Sequence, residues 1–266
     1  MSRVASGLDR LARLVDLLDG LARIGDDDSL AEIRRRAAGG AGADDAMVVE
    51  MAQLACTFDA DEVDGLLAGA TQSAGQPSID TFDELLAWCA LVSGPQATIA
   101  LGLLGAPEHA ATRATRSAFA GMRLAGLLGQ LGSDHRAGRV LLPRADLARF
   151  DASAHALGAG AADGPLRRVV ALEVARVHGL LDATVGVLMV LAAAERPALA
   201  RHGALARARL HAIERARHDA LGTPRRPGRL AVGHGTWTLT RRVARYGRRH
   251  ADPSPESGRP ADAPLG

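Results

Sequence analysis

Leucine, alanine and valine recur at three- and four-residue intervals along almost the whole chain, with arginine and aspartate between them. Residues 8–24, "LDRLARLVDLLDGLARI", set the pattern. Apolar positions at that spacing wind onto one face of a helix. A half-buried strand needs strict alternation instead, and only "RVLL" and "RLAVG" hint at it. Aromatic residues make up 3% of the 266 residues, so the core must be assembled from small aliphatic side chains. Alanine and leucine are strong helix formers. The chain is therefore expected to be all-α, one helical domain over residues 1–250, with a Pro-rich disordered tail at 251–266.

The pattern predicts helices at 8–24, 44–56, 59–72, 80–94, 110–132, 166–194, 197–221 and 238–249, with a short one from Ala145. Another begins near Leu30, where Ser29 and Glu32 form a capping box. Gly94-Pro95 is expected to end the helix that starts at Asp80, because proline removes a backbone donor.

Several classes are disfavoured. The N-terminal "MSRVASGLDRLARLVDLLDG" lacks the apolar core of a secretory signal. The longest apolar stretch, residues 183–194, falls short of the roughly 20 residues a membrane span needs. Cys56 and Cys89 sit in apolar helical contexts, which suits a reduced, cytoplasmic protein rather than a disulfide framework. The net charge of +2 by itself implies no nucleic acid, and no His-Glu-x-x-His, Gly-x-Ser-x-Gly, Walker or Cys-x-x-Cys motif occurs. From Arg201 to His250 the chain is strongly basic, with Glu214 and Asp219 its only acids. Such a run is usually a solvated face; its functional reading is peripheral attraction to anionic membrane.

Chemistry concentrates around "LLGQLGSDHRAGRVLLPRADLARF", residues 127–150. Arg123, Gly126 or Leu127, Gln130 and Asp134 follow one another at steps of three and four, so they share a helix face. "HRAGR" then sets Arg136 and Arg139 near the acid. Arginines beside a carboxylate often form only a salt bridge, but guanidinium forks also match phosphate oxygens.

"GSDHRAGRVLLPRADLARF" closely resembles the signature of the squalene/phytoene synthase family, whose Arg-Gly-Arg-Val-x-Leu-Pro segment is specific. The resemblance extends to "DTFDELLAWCALVSGPQATIALGLLG", "RRVVALEVARVHGLLDATVGVL" and "RARLHAIERARHDALG", and covers roughly residues 20–245. It implies an isoprenoid-synthase-like helical bundle around a central cavity. It also implies two facing aspartate-rich motifs that hold Mg²⁺ against an isoprenyl diphosphate, for head-to-head condensation or a related ionisation. Carried over, Asp26, Asp27 and Asp134 would ligate Mg²⁺, with Gln130 as an amide donor, and Arg23, Arg136 and Arg139 would rim the diphosphate.

The chain departs from that pattern at several of these positions. Gln130 stands where the second motif has its first acid, and Leu30 where the first motif has its third. A further family acid falls on Ser73, and the family's Gln, Asn and Arg become Arg123, Gly126 and Gly129. Trp88 and Ala90 replace cavity tyrosines. Asp26–Asp28 also have a plain structural reading, as negative charge ahead of a capped helix. Two expectations follow: a protein that binds isoprenyl diphosphate and transfers prenyl groups if active, or a catalytically degenerate member acting as a scaffold or assembly partner.

Overall fold

The computed structural model describes residues 6–24, 26–39, 45–74, 77–107, 110, 113–221 and 227–250. Within these the regular elements are helices: α1 (Gly7–Ile24), α2 (Asp27–Ala38), α3 (Ala46–Ala55), α4 (Ala60–Ala74), α5 (Phe82–Leu103), α6 (Arg113–Leu128), α7 (Leu131–Arg136), α8 (Arg144–Arg149), α9 (Gly164–Asp182), α10 (Thr184–Val190), α11 (Arg196–Arg215) and α12 (Arg229–His250). A 3-10 turn at Ala154–Gly158 lies between α8 and α9. "RVLL" is irregular and "RLAVG" opens α12, so neither is a strand. The expected tail at 251–266 lies outside the described residues.

Five boundaries differ from the sequence expectation. α2 starts at Asp27 rather than near Leu30, because Asp26 and not Ser29 is the N-cap: its carboxylate accepts from Ser29 N at 2.8 Å. α5 continues through Pro95 to Leu103. Its start matches the sequence signal, since Thr81 and Glu84 form a reciprocal capping box. The predicted 110–132 helix breaks at Gly129-Gln130, and 166–194 divides at Ala183. α12 begins nine residues before the predicted 238, at Arg229.

The core has two parts. One joins α1–α4 to α10 and α12 and includes Leu21, Met51, Leu66 and Leu188. The other gathers the first half of α5 with α8 and α9, around Leu85, Leu142, Leu166 and Leu181. α5, α6 and α11 contribute to both. α5 is long and apolar enough to cross a membrane by length and composition. Here it is a core helix packed on α4 and α6, with Leu85, Trp88, Cys89, Val92 and Ile99 buried. Close approach in the bundle depends on small residues. A Cβ at Gly121 of α6 would lie 3.0 Å from Leu180 Cβ and 3.3 Å from the Leu181 backbone nitrogen of α9.

Candidate functional site

α1, α6 and α11 wall a cavity of about 740 Å³, with α4, α5, α7 and the segment after α7 completing it. That volume is in the range of small-molecule sites, about 300–1,000 Å³. Its two ends differ. Arg10 of α1 pairs with Glu195 at the start of α11 at 3.2 Å, so both helices enter from the same end. There the lining is apolar: Leu11, Leu14 and Val15 of α1, Phe119 and Met122 of α6, Leu199 of α11. Met122 meets α11 near Gly203, and one turn or two further on Arg209 approaches Gly126, so α6 and α11 run the same way. The opposite end therefore collects Arg123, Gln130, Asp134, Arg139 and Arg209, together with Asp26 just beyond α1.

Asp134 is 4% exposed. Its Oδ1 accepts from Arg139 Nη2 at 2.5 Å, while Oδ2 is buried without a partner. The short α7 positions it: Asp134 N bonds to Gln130 O at 2.9 Å, so the helical register survives the Gly129-Gln130 break and both residues reach the cavity. Gln130 itself is exposed and caps nothing with its side chain.

Arg123 is largely buried. It donates from Nη2 to Ser73 Oγ at 2.8 Å, and its guanidinium lies over the Trp88 ring, 5.1 Å from the centroid. Ser73 in turn donates to Gly69 O at 2.8 Å, which fixes the hydroxyl as an acceptor for Arg123. Arg123 Nε is buried with no partner. Burial lowers the Arg123 pKa from its ordinary value, with Cys89 and Asp134 opposing the shift. Beneath it, burial pushes the Cys89 thiol up to about 12, so that sulfur stays protonated. A Cβ at Gly126 would lie 3.7 Å from Arg209 Nη1: the guanidinium of α11 occupies the side of α6 that the glycine leaves open. His202, also on the cavity, is held below its usual pKa by burial and is neutral at pH 7.

The expected site residues divide as follows. Asp26, Gln130, Asp134 and Arg139 line one cavity. Asp26 also caps α2, and the hydrogen bond from the Ser29 backbone lowers its pKa. Arg136 is exposed and does not line the cavity: two residues beyond Asp134 on a helix, it faces about 200° away. The side chains of Arg23 and Asp27 lie outside the described residues. Leu30, at a position where the family has an acid, is 2% exposed in the core. Arg209 and His202 were missed. The spacing Leu199, His202, Ala206, Arg209 carries an apolar stripe onto an arginine and was a usable signal.

Helices thus surround a cavity whose lining passes from aliphatic side chains at one end to fixed charge at the other. Residues 2–234 match the squalene/phytoene synthase family, and the chain belongs to that family. Its fold is that of the helical isoprenoid synthases. It is similar to squalene synthase HpnC from Alicyclobacillus acidocaldarius (TM-score 0.64, 23% identity, 79% of this chain and 84% of that one). It is also similar to a dehydrosqualene synthase crystallised with a ligand (TM-score 0.71, 17% identity, 90% and 88%). YisP from Bacillus subtilis strain 168 aligns with TM-score 0.60 at 15% identity, over 89% of this chain and 100% of that one. No curated protein matches the sequence significantly.

Members of the family are typically Mg²⁺-dependent. A cluster of two or three such ions needs several hard anionic ligands. Among the described residues the cavity offers two carboxylates, Asp26 and Asp134, against three guanidinium groups. One carboxylate is already paired with Arg139 and the other caps a helix. Among the described residues that donor set does not fit a multi-metal cluster.

Proposed function

We propose that this chain binds an isoprenyl diphosphate in the α1–α6–α11 cavity, with the prenyl tail against Leu11, Leu14, Phe119 and Met122 and the diphosphate among Arg123, Arg139 and Arg209. The observation that carries this reading is the division of one cavity into an apolar and a charged end, in a chain of this family. Calorimetric titration with non-hydrolysable prenyl thiodiphosphates in the presence of Mg²⁺ tests it. Each buried methylene contributes about 0.8 kcal/mol, so affinity is expected to rise steeply from the geranyl to the farnesyl analogue. Binding that is absent, or indifferent to tail length, would remove the proposal.

The same reading includes peripheral attachment to anionic membrane, where prenyl substrates dissolve. α12 supports it: Leu230 is 90% exposed and Trp237 52%, with Arg241 stacked 4.3 Å over the indole and Arg242 and Arg245 exposed nearby. Each arginine near such a surface is worth about 1 kcal/mol. Reversing Arg241, Arg242 and Arg245 to glutamate should therefore weaken co-sedimentation with phosphatidylserine vesicles by about 100-fold or more at low salt. Equal binding to neutral and anionic vesicles, unaffected by salt, would exclude the electrostatic attachment.

A further inference from the structure

We propose that the guanidinium groups of the cavity, Arg123 foremost, take the place of the family's magnesium cluster, so that this chain holds a diphosphate without a divalent metal. The inference rests on the proposed function above and names the chemistry by which that site recognises its anion.

Three observations converge on it. The first is charge. Three guanidinium groups, of Arg123, Arg139 and Arg209, line the charged end with two carboxylates, of Asp26 and Asp134, so among the described lining residues the cationic groups are the more numerous. A carboxylate-lined metal site has the opposite sign until it is loaded.

The second is how Arg123 is held. A buried guanidinium is costly unless its charge and donors are met. Ser73 meets one donor and the Trp88 ring lies under the group, but both are neutral. Nε is buried and unpartnered. Asp134 is the carboxylate that acts on its charge, and Asp134 is itself held through Oδ1 by Arg139, with Oδ2 unpartnered. Arg123 is thus oriented from behind, with its Nε–H unmet on a residue that lines the cavity, an arrangement suited to an incoming phosphate oxygen.

The third is the pair of substitutions itself. The resemblance to the family implies an acid at position 73 and an amide at position 123, where this chain carries Ser73 and Arg123, 50 residues apart. In the fold these two positions touch. An acid at 73 would neutralise Arg123 internally; serine positions it without cancelling its charge. The two changes make sense together as the replacement of a metal ligand by a fixed cation.

Titrations with inorganic pyrophosphate and with farnesyl thiodiphosphate, each in EDTA and again in Mg²⁺, test the assignment. Removing the metal is expected to weaken binding of the native chain by less than about 10-fold. Arg123→Gln should lose about 10- to 100-fold in EDTA, as expected for a charge-assisted hydrogen bond. Arg123→Lys should keep part of the affinity, since the charge remains and the fork is lost. Ser73→Asp leaves the arginine in place but supplies an internal counter-charge, and should lose affinity in EDTA comparably. It also covers the case in which Arg123→Gln fails to fold. Tight binding only with Mg²⁺, or native-like metal-free binding by Ser73→Asp, would overturn the inference and leave the proposed function standing. No binding under either condition would remove both.

Discussion

Incubated with Mg²⁺ and farnesyl or geranylgeranyl diphosphate, the chain is expected to form head-to-head products slower by a factor of about 10³ or more than a family member with complete aspartate-rich motifs assayed alongside. Metal ions contribute several kcal/mol by stabilising charge on departing phosphate oxygens, and about 4 kcal/mol corresponds to 10³ in rate. The described carboxylates cannot assemble that cluster: Asp134 is bound to Arg139, Asp26 caps α2, and Leu30 is in the core. Arginines can hold a diphosphate without reproducing a metal's pull on its bridging oxygen. Gln130→Asp should strengthen the Mg²⁺-dependence of analogue binding, because it adds a carboxylate four residues before Asp134 on the same cavity. It should not restore turnover, since Gly126, Gly129 and Leu30 still supply nothing. Product formation by the native chain at the rate of the comparison enzyme would show that few ligands suffice, and would refute this account of the cavity.

The features that could be read from sequence were those set by nearest neighbours along a helix. Leu/Ala periodicity indicated the bundle, and the i, i+4 spacing of Gln130 and Asp134 put them on one surface, which the fold preserves even across a helix break. Pro95 was misleading because a proline costs α5 a hydrogen bond without ending it when both halves of the helix are packed in the core. A Cβ at Gly65 of α4 would lie 2.9 Å from the Pro95 ring, so the glycine lets α4 pack closely on α5 at the proline. Asp26 and Ser29 are both good caps three residues apart in "DDDS", and local sequence does not rank them. Arg123 could be singled out by its departure from the family pattern, but its bond to Ser73 and its place over Trp88 depend on contacts between α4, α5 and α6 that no short-range rule contains. The same holds for Arg209 beside Gly126.

A second large effect is expected from the buried network behind Arg139. Arg176 of α9 donates to Asp146 of α8 at 2.5 and 3.3 Å and to Glu173 at 2.7 Å, with its guanidinium 4.5 Å from the Phe82 ring centroid. Asp146 is 5% exposed and Glu173 1%. Two buried carboxylates share one cation, so one of them retains its proton more readily. Burial pushes Glu173 up to about 7; Arg176 opposes this, and Asp146 adds to it through a hydrogen bond and its charge. The folded state then binds more protons than the unfolded chain between the ordinary glutamate value of 4.5 and about 7. Stability from this group is complete below that window and declines as pH rises through it, by on the order of 3 kcal/mol. Glu173→Gln should flatten the decline and match or exceed the native stability at pH 8, read by urea unfolding at several pH values. Arg176→Met strips both acids of their cation and should cost about 3–5 kcal/mol at pH 8, or roughly 10 °C in melting temperature for a domain of this size. It should be less harmful at pH 5, where the acids can protonate. The effect should also reach the cavity: the chain passes from Asp134 through Arg139 and Leu141 directly into α8, which this network fastens to α9. Arg176→Met should therefore weaken pyrophosphate binding as well as stability, whereas Glu173→Gln should spare it. A native stability that is flat between pH 5 and 7, with Glu173→Gln less stable at pH 8, would mean that Glu173 is ionised in the fold and that the network is a simple ion triad.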